Sequence, residues 1–418
     1  MNLSSSWVPP AALVLALAPA ACGHAAPASS STSTGGAGSG GAGGATTAFV
    51  PAPHPAAPIV TKGSGSVLAA PRIVVVTFAA DPLAAQVEAF AAGLGKSAHW
   101  AATTAEYGVG PVTAGTPVHV AAPPAATVDD TELESWLVSQ LDGTHPEWGT
   151  PDPATMYSIV YPVGTTLTQG GQSVCGSSPA YHYEVMLGSN VRVPYAAIAR
   201  CDPFLGLSGI DYLTAGLSHE WVEAATDPLP ASAPAYSGPS DRYNDWTLVT
   251  GGELADMCTL TSTGPYYKPA DLPFTVQRSY SNAGAMAGHD PCVPAPAGPY
   301  FNAAPVLPDM LSGTVSGQAF TTEGLKIPLG KSATIEVDLF SDAETSGPWK
   351  VEASDPFGSA FMSSLSFSWD RTQGKNGDKL SLTITRKGNP PGITGVNPFV
   401  LVSTLGGEQH AWVGAVGD

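Results

Sequence analysis

Charge is scarce in this sequence. Only 16 Lys or Arg and 34 Asp or Glu occur among 418 residues, or 12%, about half the usual share for a soluble protein. Long solvated helices and coiled coils need charged faces, so they are excluded. Positive charge is the scarcer sign, and a net charge of −18 repels nucleic acid and anionic lipid headgroups, which removes nucleic acid as a partner. Cysteine is limited to five residues with no CxxC pair, against a four-cysteine zinc site. The opening apolar run, Val8 to Ala21, is too short to remain in a bilayer. What is abundant is glycine and proline, 47 and 40 residues, so loops and strands should dominate a chain long enough for two domains.

No Asp, Glu, Lys or Arg precedes Lys62. Residues 1–22 read as an export signal. The small residues Pro19-Ala20-Ala21 lead into Cys22 and resemble the lipobox of bacterial lipoproteins, which implies an acylated Cys22. Pro19 stands where that pattern prefers leucine, and simple signal-peptidase cleavage is the alternative. Residues 23–62 are mostly Ala, Gly, Ser, Thr and Pro, a composition expected to stay disordered and act as a tether. The expected location is the cell envelope or the extracellular space, with membrane contact through the lipid anchor only. Export leaves Cys175, Cys201, Cys258 and Cys292 in an oxidising compartment, which implies two disulfides. Four cysteines allow three pairings, of which sequence order favours Cys175 with Cys201 and Cys258 with Cys292.

Residues 63–300 carry mixed signals of strand and helix. Arg72-Ile-Val-Val-Val-Thr-Phe78 is a β-branched run expected as a buried strand. Asp81-Pro82 predicts an N-cap and first helical residue, with Leu83, Val87 and Phe90 at helical spacing. Asp130 opens a second predicted helix, and Met156 to Tyr161 alternates as a strand. The fold class is therefore α+β.

A third helix is predicted from Gly209 to Ala225, stopped by Asp227-Pro228. At 100° per residue, Ile210, Leu213, Leu217, Trp221 and Ala224 form one apolar stripe, while His219 and Glu223 sit together at about −120° and −80°. Glu220 lies at the margin of the stripe, where an unpartnered carboxylate is costly. Nine histidines and the acidic frequency of the chain give roughly 0.06 chance occurrences of this His-Glu-x-x-Glu spacing. The plainer alternative is a solvated helix face with an i, i+4 hydrogen bond between His219 and Glu223.

His219-Glu220-Trp221-Val222-Glu223 resembles the HExxH helix of zinc metallopeptidases with glutamate in place of the second histidine. That resemblance implies His219 and Glu223 as zinc ligands and Glu220 as general base. The thermolysin-like group of zincins further implies a later glutamate as third ligand and an aspartate orienting the first histidine. Glu253 and Asp256, in Gly252-Glu-Leu-Ala-Asp-Met-Cys258, match those positions, and Cys258 would anchor their segment. The surrounding order of Pro71-Arg72-Ile73, Trp100, Tyr107-Gly108, Cys175-Gly176, Tyr181-His182-Tyr183, Cys201-Asp202-Pro203-Phe204 and Ala225-Thr226-Asp227-Pro228 resembles the phosphate-induced, EXORDIUM-like extracellular family. The plant members of that family lack the His-Glu pair, so the resemblance also admits a non-catalytic binding or adhesion protein. His182 is a candidate substrate-binding or structural histidine. Asp227 is expected to turn back onto the loop after the helix, and alternatively to support a metal ligand. Asp241, Asn244 and Asp245 have spacing for calcium but lack the glycine and terminal glutamate of an EF-hand, so turn chemistry ranks first.

Residues 304–418 change to short alternating strands, Ile335/Val337/Leu339, Leu365/Phe367/Trp369 and Leu380/Leu382/Ile384, with Asn376-Gly377 as a hairpin signal. An antiparallel β-sandwich is expected. The functional expectation is a zinc metallohydrolase, monomeric, acting on a peptide or a cell-surface polymer.

Overall fold

The computed structural model describes residues 48–79, 81–176, 178–188, 190–260, 264–358 and 363–418. The export signal, Cys22 and the first part of the tether lie outside the described residues. The chain is of mixed α and β structure.

The β-branched run forms a strand at Arg72–Phe78, buried from Ile73 onward. It pairs in parallel with Thr155–Val160 on one side and with the short strands Thr113–Ala114 and Val118–Val120 on the other. Thr155–Val160 pairs in parallel with Val191–Ile198, and Ala180–Leu187 closes that edge antiparallel to it. Every residue of Thr155–Val160 is buried. The alternation expected there does not appear as buried and exposed faces, because a central parallel strand is covered on both sides.

Helices α1 (Ala84–Leu94), α2 (Ala98–Thr104) and α4 (Gly209–Thr226) belong to the core on the face that presents Ile73, Val75, Met156 and Val160. Helix α3 (Asp130–Gln140) covers the opposite face, packing Leu133 and Leu137 with Val74, Val76 and Tyr157. Two predicted helix starts shift slightly. α3 is capped by Asp129 with Glu132 completing a capping box. α1 begins at Ala84, and Asp81 instead accepts from the Leu83 amide and from Arg200 at 2.6 Å. The disulfides join Cys175 to Cys201 and Cys258 to Cys292, as expected of a chain matured in an oxidising compartment.

From Phe301 the chain builds two further sheets. One orders Phe301–Pro305, Ser332–Ser341, Lys379–Arg386 and Leu365–Trp369, all antiparallel. The other has seven strands, with Val396–Leu405 and Glu408–Gly417 at its centre. Both contribute to one core, through Val337, Leu339 and Leu382 from the first and Val351, Leu401 and Val413 from the second.

Three expectations need correction. Asn376-Gly377 does not close a hairpin, because Gln373–Gly374 and Lys379–Arg386 pair in different sheets. The turn carries the chain between sheets, and Asn376 is occupied with the N-terminal segment, accepting from the Ala52 amide and donating to the Val50 carbonyl. That segment is the second correction, since residues 48–62 are not a free tether. His54 stacks on Phe340, Val60 is buried, and Asn282 accepts from the Val60 amide while donating to its carbonyl. Composition misses this because the extended chain obtains its hydrogen bonds from distant asparagines. Third, the boundary near residue 300 is not a spatial one: Trp246, Leu254, Met257 and Tyr280 share a single core with Phe301, Phe340, Trp349 and Trp412.

Candidate metal centre

α4 is buried almost all round, so neither of its faces is solvated. Its apolar stripe meets the sheet, with Trp221 stacked on Phe90 at 5.1 Å and donating through Nε1 to Ser158 Oγ at 2.7 Å. The opposite side, where solvent was the plainer expectation, is also covered, and Glu220 and Glu223 are each only 3% exposed. Two buried glutamates on one helix demand charge compensation.

The compensation comes from two histidines. His219 Nε2 lies 3.1 Å from Glu223 Oε2, 3.4 Å from Asp256 Oδ1 and 3.9 Å from Glu220 Oε1. His182 comes from the antiparallel edge strand Ala180–Leu187, where alternation turns Ala180, His182 and Glu184 to the buried face. Its Nδ1 lies 3.5 Å from Glu220 Oε2 and 3.7 Å from both Glu223 Oε2 and Glu253 Oε2. The ligand set His219, Glu223 and Glu253 is therefore redistributed. Glu253 stands with His182 and Glu223, Asp256 stands with His219 and Glu223, and within each triad the donor atoms are within 4.8 Å of one another. His182, for which substrate binding or a structural part was expected, belongs to the centre itself.

Two features immobilise these groups. Glu223 Oε1 accepts from the backbone amides of Ala255 and Asp256, at 3.2 and 3.1 Å, which leaves Oε2 facing the imidazoles. Gln277, which sequence reasoning passed over, donates through Nε2 to the Ala255 carbonyl at 2.7 Å. A carbonyl can only accept, so the amide orientation is set and Gln277 Oε1 must face His219 Nδ1, 3.1 Å away. Nδ1 then carries the proton in neutral His219, and Nε2 presents its lone pair to the carboxylates, the arrangement a metal-ligating histidine needs. No local signal marks Gln277, which sits in the two-residue strand Val276–Gln277. The Cys258–Cys292 disulfide ties down the segment bearing Glu253 and Asp256, as expected.

The electrostatics follow from burial and mutual charge. Burial opposes ionisation of His182, but Glu253, Glu220 and Glu223 outweigh it and raise its pKa to about 10. His219 is raised well above the usual histidine value, because Glu223, Glu220 and Asp256 together overcome its burial. Burial would raise Glu223, yet His219 and His182 hold it below the ordinary carboxylate value. Burial and the neighbouring carboxylates raise Glu253 well above the ordinary value and Asp256 to about 7. Protons and a divalent cation would compete for these same donors, so cation affinity should rise with pH. The donor chemistry, two imidazoles among carboxylates in a partly dry site, suits a first-row divalent ion.

Asp227 is fully buried and turns back as expected, accepting from the Ala235 amide at 2.7 Å, with burial raising its pKa to about 6. Two of the three side chains considered for calcium, Asn244 and Asp245, are engaged otherwise. Asn244 donates to the Asp241 and Thr321 carbonyls, while buried Asp245 accepts from Thr322 Oγ1 at 2.8 Å.

The centre opens into a cavity of about 700 Å³. Tyr181, Tyr183 and Tyr195 line one part of it, Lys62 from the N-terminal segment another, and Val315 and Phe320 from the C-terminal sheets supply an apolar wall. No protein-family model matches the chain, and no curated protein matches it. A solved structure, the S-layer protein SbsC domains 4 and 5, is similar over 27% of this chain and about half, 52%, of its own, at 15% identity and a TM-score of 0.17. That likeness is too slight to bear on fold or function.

Proposed function

We propose that this chain is an exported, zinc-dependent hydrolase acting on a peptide or a cell-surface polymer. The observation that carries the reading is the convergence of His182 and His219 on Glu223 Oε2, a carboxylate oxygen whose partner atom is immobilised by backbone amides. His182, His219, Glu223, Glu253 and Asp256 would hold the metal. Bound zinc supplies Lewis-acid chemistry and makes a water molecule acidic near neutral pH. Glu220, whose two oxygens face the two imidazoles, is the general base and takes the proton of the attacking water. Gln277 keeps His219 in the ligating tautomer, and the tyrosine-lined and apolar walls of the cavity receive the substrate.

The finer architectural reading goes with this. The main domain is zincin-like, supported by a mixed sheet with the His-Glu helix packed across it. The C-terminal region is a β-sandwich, supported by two mainly antiparallel sheets sharing a core. An EXORDIUM-like ancestry, acylation at Cys22 and a monomeric state complete the proposal.

Zinc analysis of the purified full chain tests the first half: stoichiometric zinc and a raised melting temperature on zinc addition are expected, and neither appearing would end the reading. Glu220→Gln tests the second half. It should retain the metal while lowering hydrolysis of a peptide library by about 10²–10⁴-fold. A rival reading, a non-catalytic binding protein with a structural divalent ion, is favoured by the depth of Glu223 and its ties to Ala255 and Asp256. Under that reading Glu220→Gln leaves ligand binding unchanged and no turnover exists to lose.

A further inference from the structure

The donors of the centre divide into two halves around a single oxygen. His182 and Glu253 form one triad with Glu223, and His219 and Asp256 form the other. Resting on the metal-site reading above, we propose that the centre is dinuclear, with Glu223 Oε2 bridging one ion held by His182 and Glu253 and a second held by His219 and Asp256.

Three observations support this count. Glu223 Oε1 is committed to the Ala255 and Asp256 amides, so Oε2 alone is offered, and it lies 3.7 Å from His182 Nδ1 and 3.1 Å from His219 Nε2. An oxygen between two imidazoles that approach from different elements is where a bridging ligand belongs. Glu220 repeats the division with one oxygen per half, Oε2 at 3.5 Å from His182 Nδ1 and Oε1 at 3.9 Å from His219 Nε2.

Charge gives the third argument. Ligating imidazoles are neutral, so Glu220, Glu223, Glu253 and Asp256 leave four negative charges in a site whose side chains are at most about one quarter exposed. With all four carboxylates ionised, one divalent ion would leave two of those charges to be met by protons, whereas two ions bring the site to neutrality without them. Each half then offers one imidazole and carboxylate oxygens, a donor set that manganese can also occupy, though more weakly than zinc. Carboxylate-bridged ions of this kind sit about 3.5–4 Å apart, close enough to act on one substrate group.

The test is metal stoichiometry on the full chain. Zinc equilibrated with the protein and counted by plasma mass spectrometry after gel filtration should reach two ions per chain, falling to one in His182→Ala and to one in His219→Ala. The same chain loaded with manganese should give the electron paramagnetic resonance spectrum of an exchange-coupled pair, which decides the question even if a histidine variant fails to fold. One ion per chain with an uncoupled six-line manganese spectrum overturns the dinuclear proposal and leaves the metal site standing. Loss of all metal from either folded histidine variant also overturns it, since both histidines would then serve one ion. No bound metal in the parent chain overturns the proposed function itself.

Discussion

Gln277→Met is the sharpest probe of how the centre is organised. The side chain is buried, so methionine fills nearly the same volume while removing both hydrogen-bonding groups. Two partners are left unsatisfied: the Ala255 carbonyl, which accepts from Nε2 at 2.7 Å, and His219 Nδ1, 3.1 Å from Oε1. An orphaned buried polar group costs about 1–3 kcal/mol, so a measurable loss of stability is expected. The specific effect is on metal binding. Without an acceptor at Nδ1, His219 is free to place its proton on Nε2, and losing such an outer partner lowers affinity by about 10–100-fold, or about 1.4–2.7 kcal/mol. Gln277→Glu is the control. Its carboxylate can still accept from Nδ1 and hold the ligating tautomer, but it cannot donate to Ala255, so it should lose stability and keep affinity near that of the parent. Zinc affinity is read by competition with a chromophoric chelator, and folding by circular dichroism and urea denaturation. A folded Gln277→Met protein that binds zinc as tightly as the parent would refute the tautomer argument.

Other consequences are as specific. Asp227→Asn preserves an oxygen that can accept from the Ala235 amide, so it should remain folded and disulfide-bonded with metal affinity changed by less than about tenfold; a larger fall would make Asp227 a support of the metal site. Burial raises the Asp245 pKa to about 7 from 3.8. Because the folded state then holds the proton more tightly, its stabilising contribution is complete below the unfolded value and is lost as pH rises through the folded one. The slope approaches about 1.4 kcal/mol per pH unit between those values, and Asp245→Asn should flatten it in denaturant titrations at several pH values; parallel curves would contradict this. Replacing Cys258 and Cys292 by serine opens a closure of 34 residues, which should cost about 4 kcal/mol. It should also weaken zinc binding by freeing Glu253 and Asp256, whereas unchanged affinity in the folded variant would show that the segment is held without the disulfide.

What the sequence by itself determined is the local and the periodic. The strand at 72–78 follows from a β-branched run, and the end of α4 follows from a proline that cannot continue a helix. The joint position of His219 and Glu223 on that helix follows from 100° per residue. The favoured disulfide order formed, since cysteines close in sequence have short loops to close. Tertiary structure decided what has no period. His182 reaches the centre only because its strand lies at the antiparallel edge of the sheet beside α4, and alternation along that strand could reveal its face but not its neighbour. Gln277 is informative only once the Ala255 carbonyl stands opposite its amide. That Glu253 stands with His182 and not with His219, where the zincin resemblance had only Asp256 orienting that histidine, depends on how the chain turns after Gly252. The wall supplied by Val315 and Phe320, and the docking of residues 48–62, depend on contacts between segments far apart in the chain. Such contacts are set by sheet order and shared burial across the whole molecule, and those leave no mark on any short stretch of residues.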